Sequence, residues 1–375
     1  MSSLRFRSHD ASPCTSGEVL LQATLWLMGF GQSVPVLDAP GLNRFVRHHG
    51  VAGLLDGARL TNFDQQRATT LAAEQRRIAL RALQLGTTLK KLVHAFAERG
   101  LHPLTLKGPA LAIQAHGTLS ARGGVDLDIF LDQEQWPTGL EVLQQQGYTL
   151  ASGQRLPLPR GTHELVLVHP DRPRVELHRR LLRHQHLLTN TLGIARDINL
   201  QGTPIASLDP MHALPYLIAH ANQHCFRRLI WLMDIHALLQ HPDLDMQQAA
   251  ELIRRTGTRA MLDTCLTLLQ VLFDTPVPAP LHQVRRPCRA SRAMVALALQ
   301  AIRKTQSDDE VAACQGPIKR VLLDIALQDS LNGRYQALSG WLSPTDKDIR
   351  WLELPPMLAF LYPFVRFYRL IIRSR

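Results

Sequence analysis

Apolar positions recur at helical spacing through most of the chain, but between about residues 101 and 207 the period shortens to two. In a helix the apolar residues return at i+3 and i+4, whereas in a half-buried strand they alternate. Before that change, residues 1–16 read as a tail. Helical patterning begins at Ser16-Gly17-Glu18, and a second short helix is predicted over Leu42 to Leu55. Asn62 to Arg99 is rich in Ala, Leu, Gln and Arg, with no proline and a single Gly86. The spacing of Leu80, Leu83, Leu85, Leu89 and Leu92 predicts one long amphipathic helix, which Gly100 ends.

From residue 101 the texture is different. Pro103-Leu104-Thr105-Leu106 predicts a short strand ending at Lys107-Gly108, and a helix follows from Pro109 to about His116. Val125 to Leu131 alternates as a strand, Gln133 to Gly147 reads as a helix closed by glycine, and Glu164–His169 and Arg174–His178 read as two more strands. The turn signal Pro170-Asp171-Arg172-Pro173 separates those two. A small unit of three to five strands is therefore expected. Beyond Asp209-Pro210 helices return over Met211–Cys225, Arg228–Gln240, Met246–Thr256 and Arg259–Phe273. After a proline-rich linker, Thr275 to Pro280, more helices occupy Ser291 to Leu338.

The chemistry concentrates in the strand Val125–Leu131. Residues two apart on a strand share a face, so Asp126 and Asp128 point together while Leu127, Ile129 and Leu131 enter the core. Two carboxylates at about 4 Å repel by about 4 kcal/mol at an effective dielectric near 20. A positive group must offset this: a basic side chain, or a hard divalent cation, for which an all-oxygen set suits Mg²⁺ (or Mn²⁺). Glu176 lies in Arg174-Val175-Glu176-Leu177-His178, on the face opposite Val175 and Leu177. If its strand neighbours that of Asp126, the three carboxylates converge and could hold two ions for in-line attack on a phosphorus. His178 could assist Glu176 as proton acceptor or supporting partner. Lys107-Gly108, at a strand-to-helix turn, suits a phosphate: glycine permits close backbone approach, the helix N-terminus favours an anion, and Lys107 adds charge. Arg122 could grip a phosphate or the acceptor, or pair with the aspartates.

The stretch LKGPAL (Leu106 to Leu111) followed by ARGGVDLDIFL (Ala121 to Leu131) resembles the nucleotidyltransferase superfamily of the DNA polymerase β type. More closely, the chain resembles a poorly characterised bacterial nucleotidyltransferase family found with peptide-maturation and cell-envelope gene clusters. Gly147-Tyr148, Val175-Glu176-Leu177-His178 and Arg227 to Asp234, preceded by His220, match further motifs of that family. The likeness covers about residues 85–245. The superfamily usually has Gly-Ser or Gly-Gly at the phosphate turn, where this chain has Gly108-Pro109. The resemblance implies an α+β fold: a small mixed β-sheet core over 101–207, flanked by an N-terminal helical region over 1–100. A helical domain over 208–274 completes the cleft, and a C-terminal helical region spans 275–375. It also implies a metal-dependent enzyme moving a nucleotide from a nucleoside triphosphate to a hydroxyl or phosphate. That acceptor could be a peptide, protein, small molecule or RNA. Asp126, Asp128 and Glu176 would be catalytic and metal-binding, and Lys107, Gly108 and Arg122 nucleotide-binding. The alternatives are an inactive scaffold of the same fold and a phosphotransferase acting on a peptide.

Composition narrows this picture. Lys and Arg number 42 against 31 Asp and Glu, a net charge of +11, which attracts phosphate-rich or acidic partners. The basic residues are scattered, so nucleic acid is possible but not the favoured partner. Cys14, Cys225, Cys265, Cys288 and Cys314 lie far apart without a CxxC pair, unlike a zinc site or a disulfide framework. Reduced, buried thiols in a cytosolic protein fit better. The first apolar stretch, Val19 to Phe30, does not read as a secretory signal, and no run has the length of a membrane span. Pro355 to Arg375 mixes aromatics with Arg366, Arg369, Arg373 and Arg375. It reads either as a terminal helix packed on the protein or as an amphipathic segment on an anionic membrane surface, peripheral to the inner membrane. His220 and His224, one helical turn apart, could bind zinc but lack a third ligand. Asp234 is expected to line the cleft or to pair with a basic neighbour on its own helix, Trp231 to belong to the core, and His184-Gln185-His186 to a loop.

Overall fold

The computed structural model describes residues 16–31, 40–152, 156, 158, 162–182 and 194–373. Residues 1–15 of the predicted tail and the His184-Gln185-His186 loop lie outside them, and Ser16 already belongs to a helix. The N-terminal helices are α1 (Ser16–Leu27), α2 (Leu42–His49), the short α3 (Gly57–Leu60) and α4 (Gln65–Ala97). The helix predicted to Leu55 stops at His49 because Gly50 adopts φ 70°, capping α2; a 3₁₀ turn, Ala52–Leu54, follows. Asp64 caps α4 by accepting from the Arg67 N–H. The predicted apolar stripe of α4 needs a correction, since Leu80 and Leu83 are exposed. The buried stripe runs instead through Leu71, Ile78, Ala82, Leu85, Leu89 and Leu92, which follow one another by three, four or seven residues. Leu80 and Leu83 are apolar but out of phase with that stripe.

The centre is a seven-stranded sheet in the order β3-β4-β5-β2-β1-β7-β6. Its strands are β1 (Leu104–Thr105), β2 (Asp126–Phe130), β3 (Thr149–Leu150), β4 (Glu164–Val168), β5 (Arg174–His178), β6 (Ala195–Leu200) and β7 (Thr203–Leu208). β2 runs parallel to β5 and β1 parallel to β7, while the other neighbours are antiparallel. The sequence-based count of three to five strands falls short at β3, which is only two residues long, and at the β6–β7 hairpin. That hairpin turns through Gln201 and Gly202, both at positive φ, the geometry of a two-residue hairpin loop.

Helices α5 (Gly108–His116) and α6 (Trp136–Gln145) connect the early strands. Leu127, Ile129, Leu165, Leu167, Val175 and Leu177 form one face of the sheet, buried in a single core with Leu85, Leu89, Leu92 and Phe96 of α4 and Leu140 and Leu143 of α6. The opposite face carries the polar side chains. A second core joins α1 and α2 to α7 (Pro210–Gln223), α8 (Leu229–Leu238), α9 (Met246–Thr256) and α10 (Arg259–Phe273). α7 begins where the Asp209 carboxylate accepts from the N–H groups of Met211 and His212, and Pro210 costs the first turn no hydrogen bond.

The remaining helices are α11 (Ala279–Val284), α12 (Arg289–Arg303), α13 (Asp308–Gln315), α14 (Pro317–Ala326), α15 (Leu331–Leu342), α16 (Asp346–Trp351) and α17 (Tyr362–Arg373). No helix of the described residues is long and apolar enough to cross a membrane. α17 is turned in an unexpected direction. Its Arg366 and Arg369 are buried and grip Asp348, at 2.6 and 2.9 Å, while Phe364, Phe367 and Tyr368 are exposed. Asp348 also accepts from the Thr345 hydroxyl, so its charge is fully satisfied. Asp348→Ala strands two cations, and a loss of about 3–5 kcal/mol in the anchoring of α17 is expected. Limited proteolysis between α16 and α17 should accelerate accordingly.

Candidate active site

β2 presents Asp126 and Asp128 on the face opposite its buried Leu127 and Ile129, as alternation requires. Parallel pairing with β5 sets Asp126 beside Arg174, Asp128 beside Glu176 and Phe130 beside His178. Antiparallel pairing of β4 with β5 sets Glu164 across from His178. The strand adjacency on which convergence of the three acids depends is thus present. Asp126, Asp128, Glu164, Glu176 and His178 all line one cavity of about 530 Å³. Its far wall comes from α7 and α8 through Tyr216, His220 and Trp231, and α4 contributes Arg77 and Arg81.

Charges in this cavity compensate one another unevenly. Lys107, in the turn from β1 to α5, sets its Nζ 2.7 Å from Asp128 Oδ1, and His178 Nε2 stands 3.3 Å from the same oxygen. Burial opposes the charge of Asp128, but Lys107 and then His178 outweigh it, holding this carboxyl well below the usual range. Burial likewise opposes the charge of Lys107, and Asp128 overcomes it and keeps the ammonium protonated. Arg174 bonds Asp126 Oδ2 at 2.6 Å and Glu176 Oε1 at 3.2 Å. Glu176 is nevertheless short of positive charge. Burial, then Glu164, Asp128 and Asp126, push its carboxyl up to about 8.

Ligand atoms of Asp128, Glu176 and His178 lie within 4.8 Å of one another, as do those of His163, Glu164 and His178. The Nδ1 of His178 is buried without a hydrogen-bond partner among the described residues, 3.7 Å from Glu164 Oε2. A cluster with surplus negative charge and an unsatisfied imidazole nitrogen has the donor chemistry of a divalent-cation site. Asp126 belongs to neither set, because its carboxylate is taken up by Arg174. Sequence reasoning passed over His163 and Glu164. The alternation through Glu164-Leu165-Val166-Leu167 was the available signal, but nothing local says which strand it joins.

Gly108 opens α5 at φ 60°, and no side chain caps that helix, so its first N–H groups face the turn without a side-chain acceptor. An added Cβ would meet only the Asp126 carbonyl oxygen, at 3.8 Å. The cost of Gly108→Ala is therefore conformational, about 1–2 kcal/mol, and should appear in chemical denaturation. Pro109 fits the first turn, where it forfeits no intrahelical bond.

Arg122 lines the cavity, and its Nε bonds Asp234 Oδ2 at 2.9 Å. His116 Nε2 lies 3.0 Å from the other oxygen of Asp234. Asp234 is fully buried and, contrary to expectation, pairs across to the approach of β2 and the end of α5 rather than along its own helix. Burial resists its ionisation, but Arg122 and His116 hold its carboxyl below the usual range. His220 and His224 pack against Trp231 and join neither candidate metal set. Trp231 packs on the helical core, as expected, and also lines the cavity.

Comparison with known proteins gives three results. No curated protein matches the chain. Among solved structures, the crystal structure of an antigenic nucleotidyltransferase-like protein from Paracoccidioides brasiliensis is similar at 16% identity and a TM-score of 0.31, over 52% of this chain and 94% of that one. The profile of a family described as uncharacterised nucleotidyltransferase matches residues 36–274, from before α2 to the end of α10, including the whole sheet and the cavity's acidic residues. On that match, which spans well over half of its length, the chain belongs to the uncharacterised nucleotidyltransferase family.

Proposed function

We propose that this protein transfers a nucleotide from a nucleoside triphosphate to an acceptor hydroxyl or phosphate, with a divalent cation held by Asp128 and Glu176 together with His178 or Asp126. The observation that carries the reading is the surplus negative charge around Glu176 in a cavity whose other walls are basic. Such an ion, when bound, supplies charge neutralisation at the phosphates and at the attacking oxygen. The chain's own residues do the rest. The uncapped start of α5 and Gly108 receive a phosphate by backbone N–H donation. Lys107, held protonated, adds a fixed positive charge beside Asp128. Arg174 keeps Asp126 and Glu176 in register, and Asp234 keeps the Arg122 side chain at the cavity wall. In the reaction the acceptor oxygen bonds the α-phosphorus, the α–β anhydride bond breaks, pyrophosphate leaves, and the acceptor's proton passes to solvent.

The test is a thermal-shift titration of the full chain with each of the four nucleoside triphosphates, with and without Mg²⁺ or Mn²⁺. A ligand that binds only the folded state raises the transition temperature by mass action. A divalent-dependent shift is the expected result. No shift with any nucleotide would favour a scaffold that keeps the fold without the chemistry. Product mass separates nucleotide transfer from the addition of a bare phosphate.

A peripheral membrane contact is a second, independent reading for the C-terminal segment. It is favoured by the exposed aromatics Phe360, Phe364 and Phe367 rather than by Arg366 and Arg369, which turn inward. On this reading anionic vesicles should bind the full chain more strongly than they bind a chain lacking residues 355–375. Equal sedimentation of the full chain and one lacking residues 355–375 would exclude it.

A further inference from the structure

The cavity has a second electrostatic centre, opposite in sign to the first. Arg227 and Arg228 lie at the junction of α7 and α8, and both line the cavity with Gln223. Arg227 is neutralised by Asp308, through Nε at 2.6 Å and the second guanidinium nitrogen at 2.8 Å. Arg228 is not. Its Nε is buried without a hydrogen-bond partner among the described residues, and the same is true of Gln223 Nε2. Burial and then Arg227 act against its charge, and Asp308 and Asp126 only partly restore it. His48, on α2, senses the same field: burial, Arg228 and Arg227 push it down to about 4.

Two buried N–H donors without acceptors, one cationic, are costly unless a ligand satisfies them. A metal ion is the wrong partner for such a group, and a neutral ligand leaves the charge uncompensated. We propose that Arg228 and Gln223 form a phosphate-binding subsite in the wall of the cavity. Guanidinium and amide N–H groups donate to phosphate oxygens in the charge-assisted geometry that arginine favours. Trp231, with the Arg228 guanidinium 6.0 Å from its ring centre, forms an adjoining wall. The phosphate comes either from a phosphorylated acceptor or from the tail of the donor triphosphate. The inference rests on the transfer reading only for that choice of source.

The first experiment titrates inorganic phosphate into the full chain in EDTA, followed by calorimetry. This condition excludes metal-dependent nucleotide binding. Wild type should bind phosphate, and Arg228→Gln and Gln223→Leu should each weaken binding, the former about tenfold, as expected for loss of a charged hydrogen bond. Because these donors have no protein partner, the transition temperature of both variants without ligand should match or exceed that of wild type, which separates loss of the site from misfolding. Absence of phosphate binding by wild type, or unchanged binding by Arg228→Gln, would overturn the proposal. The second arm repeats the titration with saturating Mg²⁺ and a non-hydrolysable triphosphate analogue. Persistent phosphate binding assigns the subsite to the acceptor; displacement by the analogue assigns it to the donor. Failure of nucleotide binding alongside intact phosphate binding in EDTA would remove the transfer reading and leave the subsite standing.

Discussion

Asp128→Asn is expected to abolish divalent-dependent nucleotide binding and to reduce any transfer activity by about 10³-fold, the rate equivalent of the several kcal/mol that a metal-held phosphate contributes. The side chain keeps its shape but loses the charge that faces both Lys107 and His178. Lys107 then loses its hydrogen-bonded carboxylate, so a drop in stability accompanies the functional loss. Glu176→Gln separates the two effects. Glu176 is buried and crowded by Glu164, Asp128 and Asp126, so its carboxyl ionises less readily in the metal-free fold than in the unfolded chain, and replacing it by Gln removes that cost. Its expected signature is a transition temperature equal to wild type or about 1–2 °C higher, with the nucleotide-dependent shift gone. A Glu176→Gln protein that still binds Mg²⁺-nucleotide as wild type does would show that the carboxylate cluster is structural.

Asp234→Ala should cost about 3–5 kcal/mol in denaturant unfolding, because it leaves a buried guanidinium without its carboxylate. Asp234 ties α8 to the residues leading into β2, and so links the helical wall of the cavity to the strand that carries Asp126 and Asp128. Removing both charges together, as in Asp234→Leu with Arg122→Met, should recover much of the loss, since the buried guanidinium goes with its carboxylate. An additive double variant would mean that the pair contributes by packing alone. If Arg122 served only this structural tie, the double variant would keep nucleotide binding at wild-type strength; loss of binding in a stable double variant assigns Arg122 a contact with the ligand.

Much of this arrangement was legible along the chain, because it rests on local periodicity. Alternation alone places Leu127, Ile129, Val175 and Leu177 beneath the sheet and Asp126, Asp128 and Glu176 above it, and both helices α9 and α10 have the ends that their apolar pattern predicts. Lys107-Gly108 is recognisable as a strand-to-helix turn because positive φ and a free helix start favour glycine there. What the chain could not express locally is partnership. Which carboxylate Lys107 neutralises, that Arg174 takes Asp126, that Asp234 reaches Arg122 from more than a hundred residues away, and that Arg366 and Arg369 turn inward to Asp348 all depend on pairing register and helix rotation. The same holds for Leu80 and Leu83, whose apolar character predicted burial but whose phase on α4 left them in solvent. Short-range order follows from the spacing of residue types. The sign and balance of charge inside the cavity follow from contacts between distant segments, and only the tertiary structure decides those.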